Sequence, residues 1–542
     1  MLVRIVPSLL AVASALAVVA ISSPAEAADG AEFTQLLNAA DDLDDGDPDT
    51  YDPWDFHIEP SFNFDYSTAQ ISREAPCVPA GHPTVDSGHP EYNPLADGNP
   101  RLIEDSSRCD HPRIVTNREM LYRHTESTLD ITARAGLYKD LELRFNAPLV
   151  FSSTHGLKYD NEPRRGQNVV NEDNSFVDPS SDRIRDHAED VFEPDQSADT
   201  HASNLDQFQK YRFMDLDDEY SDYERSGFAD PSVGLHWAPW SDYRDDTKAT
   251  MVLGMDYVMP IAPVRRHDND AVGEGAHKLQ WNIGASKRFD WIEPYFGAKY
   301  SLPIAATDSL YGQRDGEPGG PGSGQVLTNP PHEGNFTVGT EFVPHEDPEI
   351  GARYAIDLRF SFGYTSEGRD YTPLFDHMTR PDNDCNDRTL ESIRPQFDSQ
   401  GNLTNPDDVA CSWVVQQPSN SSPATYDLED AAENNPGRNF AFTDLMSVDD
   451  YGTFSGQIGA YLQPTRYFQF RGVAGLTHHQ SHLLTNARTG SDTDRTDDNS
   501  VDMTDEYERN PVYNPSYDNS GDRFRVERFN TWHFSVTAAV QF

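Results

Sequence analysis

The chain has 542 residues, 91 acidic against 42 basic, for a formal charge of −49 at neutral pH, which excludes the phosphate backbone of nucleic acid as a partner. Its length would allow two to four soluble domains, but 36% hydrophobic residues and a mean hydropathy of −0.70 are low for such cores, while 11% aromatic residues is too rich for simple disorder. Strands that need an apolar residue only at every second position, diluted by polar lumen residues and long loops, reconcile these values.

Residues 1–27 carry Arg4, an apolar stretch from Leu9 to Ile21 and the small-residue site Ala25-Glu26-Ala27, the pattern of a cleavable secretory signal. The apolar run is short of the roughly 20 residues of a membrane helix, no later segment is apolar enough for one, and no Cys follows the cleavage site to carry a lipid. A membrane-embedded form of this chain is therefore a barrel. Residues 28–53 read as an acidic periplasmic segment. Within it Asp41-Asp42-Leu43-Asp44-Asp45-Gly46 fails the alternating spacing of a calcium loop, because Leu43 stands at a ligand position. Most of the acidity lies between strands, as a solvated surface or, on a sharper reading, as a binder of cations.

From residue 54 onward the chain alternates apolar and polar positions in separate runs. Trp54, Phe56, Ile58, Pro60, Phe62, Phe64 and Tyr66 share one face of the first, 54–66. The runs 128–138 and 141–151 form a hairpin around Tyr138-Lys139-Asp140. Further strands are expected near 229–239, 248–261, 278–286, 291–304, 335–343, 352–365, 452–462, 467–477 and 528–542, which brings the total to twelve. The connections alternate independently: 139–140, 240–247, 287–290, 344–351 and 463–466 are short, whereas 67–127, 152–228, 262–277, 305–334, 366–451 and 478–527 are long. An even count with strict alternation is the rhythm of short periplasmic turns and long external loops. The expected fold is therefore an all-β, transmembrane, antiparallel up-and-down barrel spanning 54–542. Trp54, Trp237, Trp240, Tyr257, Trp281, Trp291, Tyr354, Tyr467 and Trp532 fall near strand ends, where aromatic girdles belong.

Cys77, Cys109, Cys385 and Cys411 form two sequence-local pairs in two long loops, so disulfides Cys77–Cys109 and Cys385–Cys411 are expected among three connectivities. No Cys-x-x-Cys spacing suggests a metal, and no cofactor is expected. The Asp, Asn, Ser and Pro content of 376–438 and 484–522 argues for mobility, with inward plugging and outward binding as the alternatives.

The polar face of the strands carries Asp130, Arg134, Glu142, Arg144, Asp256, Glu293, Lys299, Glu341, Asp357, Arg359 and Arg471. Opposite charges on neighbouring strands would hold the wall together or form a constriction that selects solutes. His478, His479, Ser481 and His482 cluster where the eleventh strand meets its outer loop, and could bind a metal or supply a base and nucleophile. The His-x-Ser-Asn-Gly pattern of twelve-stranded outer-membrane phospholipases is absent there: Gln480-Ser481-His482-Leu483 stands in its place. No Gly-x-Ser-x-Gly, His-Glu-x-x-His or phosphate loop points to another enzyme class, so no catalysis is expected.

The last eleven residues alternate from Trp532 to Phe542. This strand resembles the C-terminal signature of bacterial outer-membrane barrels, whose final Phe is read by the insertion machinery; the resemblance implies that role for Phe542. The hairpin Gly136-Leu137-Tyr138-Lys139-Asp140-Leu141-Glu142-Leu143 with Ala147-Pro148 resembles a recurrent unit of the putative meta-pathway phenol degradation family of outer-membrane proteins. That resemblance implies a transport barrel for small, often hydrophobic molecules. Together these readings place the chain in the outer membrane of a Gram-negative bacterium, in contact with lipid and lipopolysaccharide. The expected function is a channel or transporter for a small solute of unknown identity. A surface-display or adhesion barrel with disulfide-tied loops is the alternative, and a barrel hydrolase the less favoured one.

Overall fold

The computed structural model describes residues 56–79, 103–104, 109–138, 141–161, 216, 219–242, 245, 247–266, 269–306, 309–311, 329–347, 350–377, 445–465, 467–491, 501, 510 and 517–541. The expected signal (1–27), the acidic segment 28–53, Trp54, Cys385, Cys411 and Phe542 lie outside these residues.

Twelve strands close into one antiparallel barrel: β1 (Phe56–Val78), β2 (Arg113–Tyr138), β3 (Leu141–Tyr159), β4 (Ser232–Trp240), β5 (Thr250–Val258), β6 (Ala276–Ser286), β7 (Ile292–Ala305), β8 (Glu333–Asp347), β9 (Ala352–Thr365), β10 (Tyr451–Thr465), β11 (Phe468–His479) and β12 (Phe529–Gln541). Each pairs with its sequence neighbour. β1 closes the ring by pairing on both edges, with Phe62 opposite Leu129 of β2 and Val536 of β12. Closure leaves no free edge and satisfies the backbone donors and acceptors between strands. The short turns gather at one end and the long connections at the other. Asp290 (φ 56°) and Gly351 (φ 66°) take left-handed conformations in two of the short turns.

The alternation sorts the side chains. Outward residues such as Ile131, Phe145, Leu235, Met255, Ile356, Phe360, Ile458 and Phe470 remain exposed, as lipid-facing positions should. Trp237, Trp240, Trp291 and Tyr467, about half exposed, ring the short-turn end, and Tyr364 and Trp532 mark the opposite side.

Three strands run farther than the alternation predicts. β1 continues to Val78, β2 begins at Arg113 and β3 ends at Tyr159. Along β1 the apolar residues change face: Phe56 to Tyr66 point outward, whereas Ala69 and Ile71 point inward and are buried. Met120 and Tyr122 of β2 and Leu157 and Tyr159 of β3 are likewise turned inward and buried, the last two after a bulge at Phe151 shifts the register. These positions pack with Leu374, Met446, Leu484, Tyr517, Phe524 and Val526 from the long connections into an apolar core. A second cluster joins Ala276, Leu310, Tyr311, Phe375 and Leu445. Burying each large side chain contributes roughly 2 kcal/mol, so these clusters form a folded cap over the long-connection end.

Most of 376–438 and 484–522, where composition argues for mobility, lies outside the described residues; among the described ones, Asp376, His377, Leu484, Thr485, Tyr517 and Asp518 are buried. The fourth strand is longer than expected. Ser221–Phe228 pairs with the upper half of β3 and Ser232–Trp240 with the lower half. The seam at Pro231 is closed by the Asp230 carboxylate, which accepts the N–H groups of Ala262 (3.0 Å) and Glu274 (3.2 Å). The expected Cys77–Cys109 disulfide is present, its Cα atoms 5.9 Å apart, at the tip of the extended β1–β2 hairpin.

Candidate solute chamber

Inside the barrel the side chains form three layers. Nearest the short turns lies a charged floor. Arg134 Nη2 donates to Glu59 Oε2 at 2.7 Å and its Nε lies 4.0 Å from Glu142. Asp256 is held by Asn282 Nδ2 (2.6 Å) and His236 Nε2 (3.1 Å). Arg353 spans Glu293 (3.1 Å) and Glu341 (3.0 Å), while Arg359 reaches Asp357 (2.6 Å) and the Tyr295 hydroxyl (2.9 Å). Arg471 lies 5.9 Å from the Tyr461 ring centroid. Charges buried in this way are tolerated because oppositely charged or polar groups face them across the barrel interior.

Inward glycines make room for these large groups. A Cβ on Gly339 would collide with the Tyr295 ring, and one on Gly254 would press on His236.

Above the floor sits a cavity of about 650 Å³, within the usual range of small-molecule sites. Its wall carries two hydrogen-bonded chains. On β2 and β3, the Tyr122 hydroxyl meets His155 Nδ1 (2.7 Å), His155 Nε2 meets Ser153 Oγ (3.2 Å), and Ser153 donates to Glu126 (2.8 Å). His124 stacks on His155 with centroids 4.4 Å apart. On the other side of β1, His533 Nδ1 bonds Asp65 and its Nε2 bonds Thr477 Oγ1 at 2.7 Å. No group of three or more His, Cys, Asp or Glu among the described residues could hold a metal ion.

The cap bounds the cavity from above through a latch. Asp376, in the turn Phe375–His377, receives Arg225 Nε (3.0 Å) and Nη2 (2.5 Å) on one oxygen and Arg265 Nη2 on the other. Arg225 also donates to the carbonyls of Arg266 (2.9 Å), Asn269 (3.0 Å) and Ala271 (3.0 Å). The Arg265 guanidinium lies 5.1 Å from the Tyr371 ring centroid and 5.2 Å from that of Phe375. Burial pushes the Asp376 carboxyl up, but Arg265 and Arg225 outweigh it and hold the group below the ordinary carboxylate range. Asp370, hydrogen-bonded by Tyr311, behaves in the opposite way: burial, reinforced by Glu274, raises it to about 7. Burial lowers His377 to about 4.

Ten of the eleven charges expected on the inner face are buried: Arg134, Glu142, Arg144, Asp256, Glu293, Lys299, Glu341, Asp357, Arg359 and Arg471. Asp130 is half-buried on the cavity wall, where Asn63 Nδ2 bonds it. Arg144 and Lys299 also reach the cavity; most of the others belong to the floor. The His478–His482 cluster does not assemble. His479 turns inward to stack on Phe529 (4.3 Å) and bond Thr531 (3.1 Å), His478 bonds Asn530 (2.9 Å), and Ser481 is exposed. Burial lowers His482 to about 4. The latch residues Arg225, Arg265 and Asp376 carry no local motif and join segments 40 to 151 residues apart, as their 111- and 151-residue separations from Asp376 show. By contrast, the strand alternation already places His533 and Asp65 on the wet face.

No protein-family model matches the chain, and no curated protein does. Among solved structures it is similar to the COG4313 outer membrane channel from Pseudomonas putida F1, at 9% identity and a TM-score of 0.33, covering 92% of this chain and 99% of that one. It is also similar to a Pseudomonas aeruginosa FadL homologue (7%, TM-score 0.28, 90% and 91% covered) and to the P. putida toluene transporter TodX (6%, TM-score 0.27, 91% of each chain covered).

Proposed function

We propose that the chain is a gated outer-membrane conduit for small solutes, with the cap as its gate. The observation that carries this reading is the stacking of layers inside an apolar-sheathed barrel: a polar cavity of about 650 Å³ lies between a charged floor and a cap held by Asp376. A barrel built only to display loops has no use for a polar chamber lined by functional groups. A solute enters from the long-connection side when the cap lifts, occupies the chamber, and leaves as floor side chains exchange partners. The eleven inner-face charges act here as the wall and filter of that path rather than as catalytic groups.

Single-channel recording in planar bilayers tests the proposal. The wild-type protein, closed most of the time, should show rare openings, and Asp376→Asn should raise the open fraction by about tenfold or more, since losing the latch releases at least 1.4 kcal/mol. A folded barrel that stays silent in both forms would favour the display reading instead.

A further inference from the structure

We infer that the chamber takes neutral, polyhydroxylated solutes of the size of a mono- or disaccharide, a reading that rests on the conduit proposal and names its substrate class. The wall presents hydroxyl and amide side chains from all round the barrel, including Ser67, Thr128, Ser301, Asn335, Ser361 and Gln457 from six different strands. Each offers both a donor and an acceptor, which is the complement of a sugar hydroxyl.

Several of the charges that reach the cavity are committed to fixed partners. Glu59 is held by Arg134 at 2.7 Å, Lys278 by Glu274 at 2.7 Å, Asp65 by His533, and both cap arginines by Asp376. An ionic solute must give up its hydration and then displace one of these partners, leaving a buried charge unmatched. A neutral solute faces no such exchange. An apolar solute is disfavoured for the converse reason, because it would cover hydroxyl groups without bonding them.

Ser301 makes the point at one atom. It is 2% exposed, stands on the cavity wall of β7, and its hydroxyl has no hydrogen-bond partner among the described residues. A buried hydroxyl in that position is satisfied by a guest that carries a hydroxyl of its own. Aromatic faces complete the fit. Phe529 lines the cavity on one side, stacked on His479 at 4.3 Å, and Tyr311 and Tyr371 meet edge to face (5.9 Å, 88°) beneath the cap. Such rings offer flat apolar surface to the C–H face of a sugar, while their polar neighbours take its hydroxyls.

The test uses three hexoses matched in size and different in charge: glucose, glucosamine and gluconate. Tracer uptake is measured into proteoliposomes holding the full-length Asp376→Asn protein, whose potassium chloride conductance is recorded in parallel. Glucose should enter about tenfold faster than either charged hexose. Equal entry of glucosamine or gluconate, or conductance without glucose uptake, would overturn the substrate class and leave the conduit standing. Absence of both uptake and conductance would overturn the conduit itself. In the same background, Ser301→Val should slow glucose severalfold relative to potassium chloride conductance, and Ser301→Thr, which keeps the hydroxyl, should retain glucose entry. An equal fall in both, or no change in glucose, would overturn the role given to this wall.

Discussion

Arg225 donates to one oxygen of Asp376 through two nitrogens, Nε at 3.0 Å and Nη2 at 2.5 Å, although the two residues are 151 positions apart in the chain. This contact ties the upper half of the fourth strand to the turn at the base of the cap. Arg265 completes it from a third segment, so the carboxylate is the point at which three separate connections meet.

Removing one partner of a buried ion pair strands the other, typically at a cost of about 3–5 kcal/mol. Arg225→Gln should therefore open the cap without unfolding the barrel. Hydrogen exchange should accelerate in 221–228 and 368–377, with the heat-dependent gel shift of the barrel unchanged. Unaltered exchange in both segments would show that the latch does not hold the cap.

The cap should also respond to pH, with opposite signs at its two acids. Asp370 is raised from 3.8 to about 7 by burial and by Glu274, with Lys278, Glu333 and Tyr311 facing it. The closed cap thus holds this proton more tightly than an open one, and its contribution to closure is full below the ordinary carboxylate value and is lost as pH rises through about 7. Asp376 is lowered, so its contribution is present above the ordinary value and is lost as pH falls through its own titration. Closure is strongest in the mildly acidic window between them. Open probability recorded from pH 5 to 8 should rise towards the alkaline end, and Asp370→Asn should flatten that rise.

Gly339 and Gly472 separate the two faces of the wall. A methyl group on Gly339 would meet the Tyr295 ring that bridges Asp357 and Arg359, whereas nothing lies within 4 Å of a methyl group on Gly472. Gly339→Ala should destabilise the barrel by about 1–3 kcal/mol, and Gly472→Ala should stay within about 0.5 kcal/mol of the wild type. Urea unfolding in detergent, followed by the gel shift, checks both.

Cys77 and Cys109 close a loop with a sequence separation of 32 at the hairpin tip. A cross-link of that span contributes about 3–4 kcal/mol by restricting the open chain. The Cys77→Ser, Cys109→Ser double variant should become protease-sensitive between residues 79 and 112 while keeping its gel shift and conductance.

The barrel was legible in the sequence because lipid outside and water inside write a strict alternation, as Phe56 to Tyr66 and Trp532 to Val540 illustrate. The cap was not, because above the membrane the rule inverts: Ala69, Ile71, Met120 and Leu157 turn apolar groups inward to meet it, and the Phe151 bulge shifts the phase on β3. A change of apolar face within one continuous strand was the available signal. The same alternation marks the eleven charges expected on the inner face, ten of which are buried, but not their sorting into floor and chamber, which depends on register between strands. The latch has no local pattern at all, since Arg225, Arg265 and Asp376 meet only when the chain is closed.

If the chamber lies on the solute path and behind the cap, a thiol placed on its wall is reached from outside only when the cap lifts. In a Cys385→Ser, Cys411→Ser background, Ser301→Cys is treated from the external side with a small charged thiol reagent during single-channel recording. Modification should be slow with the latch intact and about tenfold faster or more once Asp376→Asn is added, and it should block the current in each case. Equal rates in the two backgrounds, or complete modification with undiminished current, would contradict this placement of the chamber.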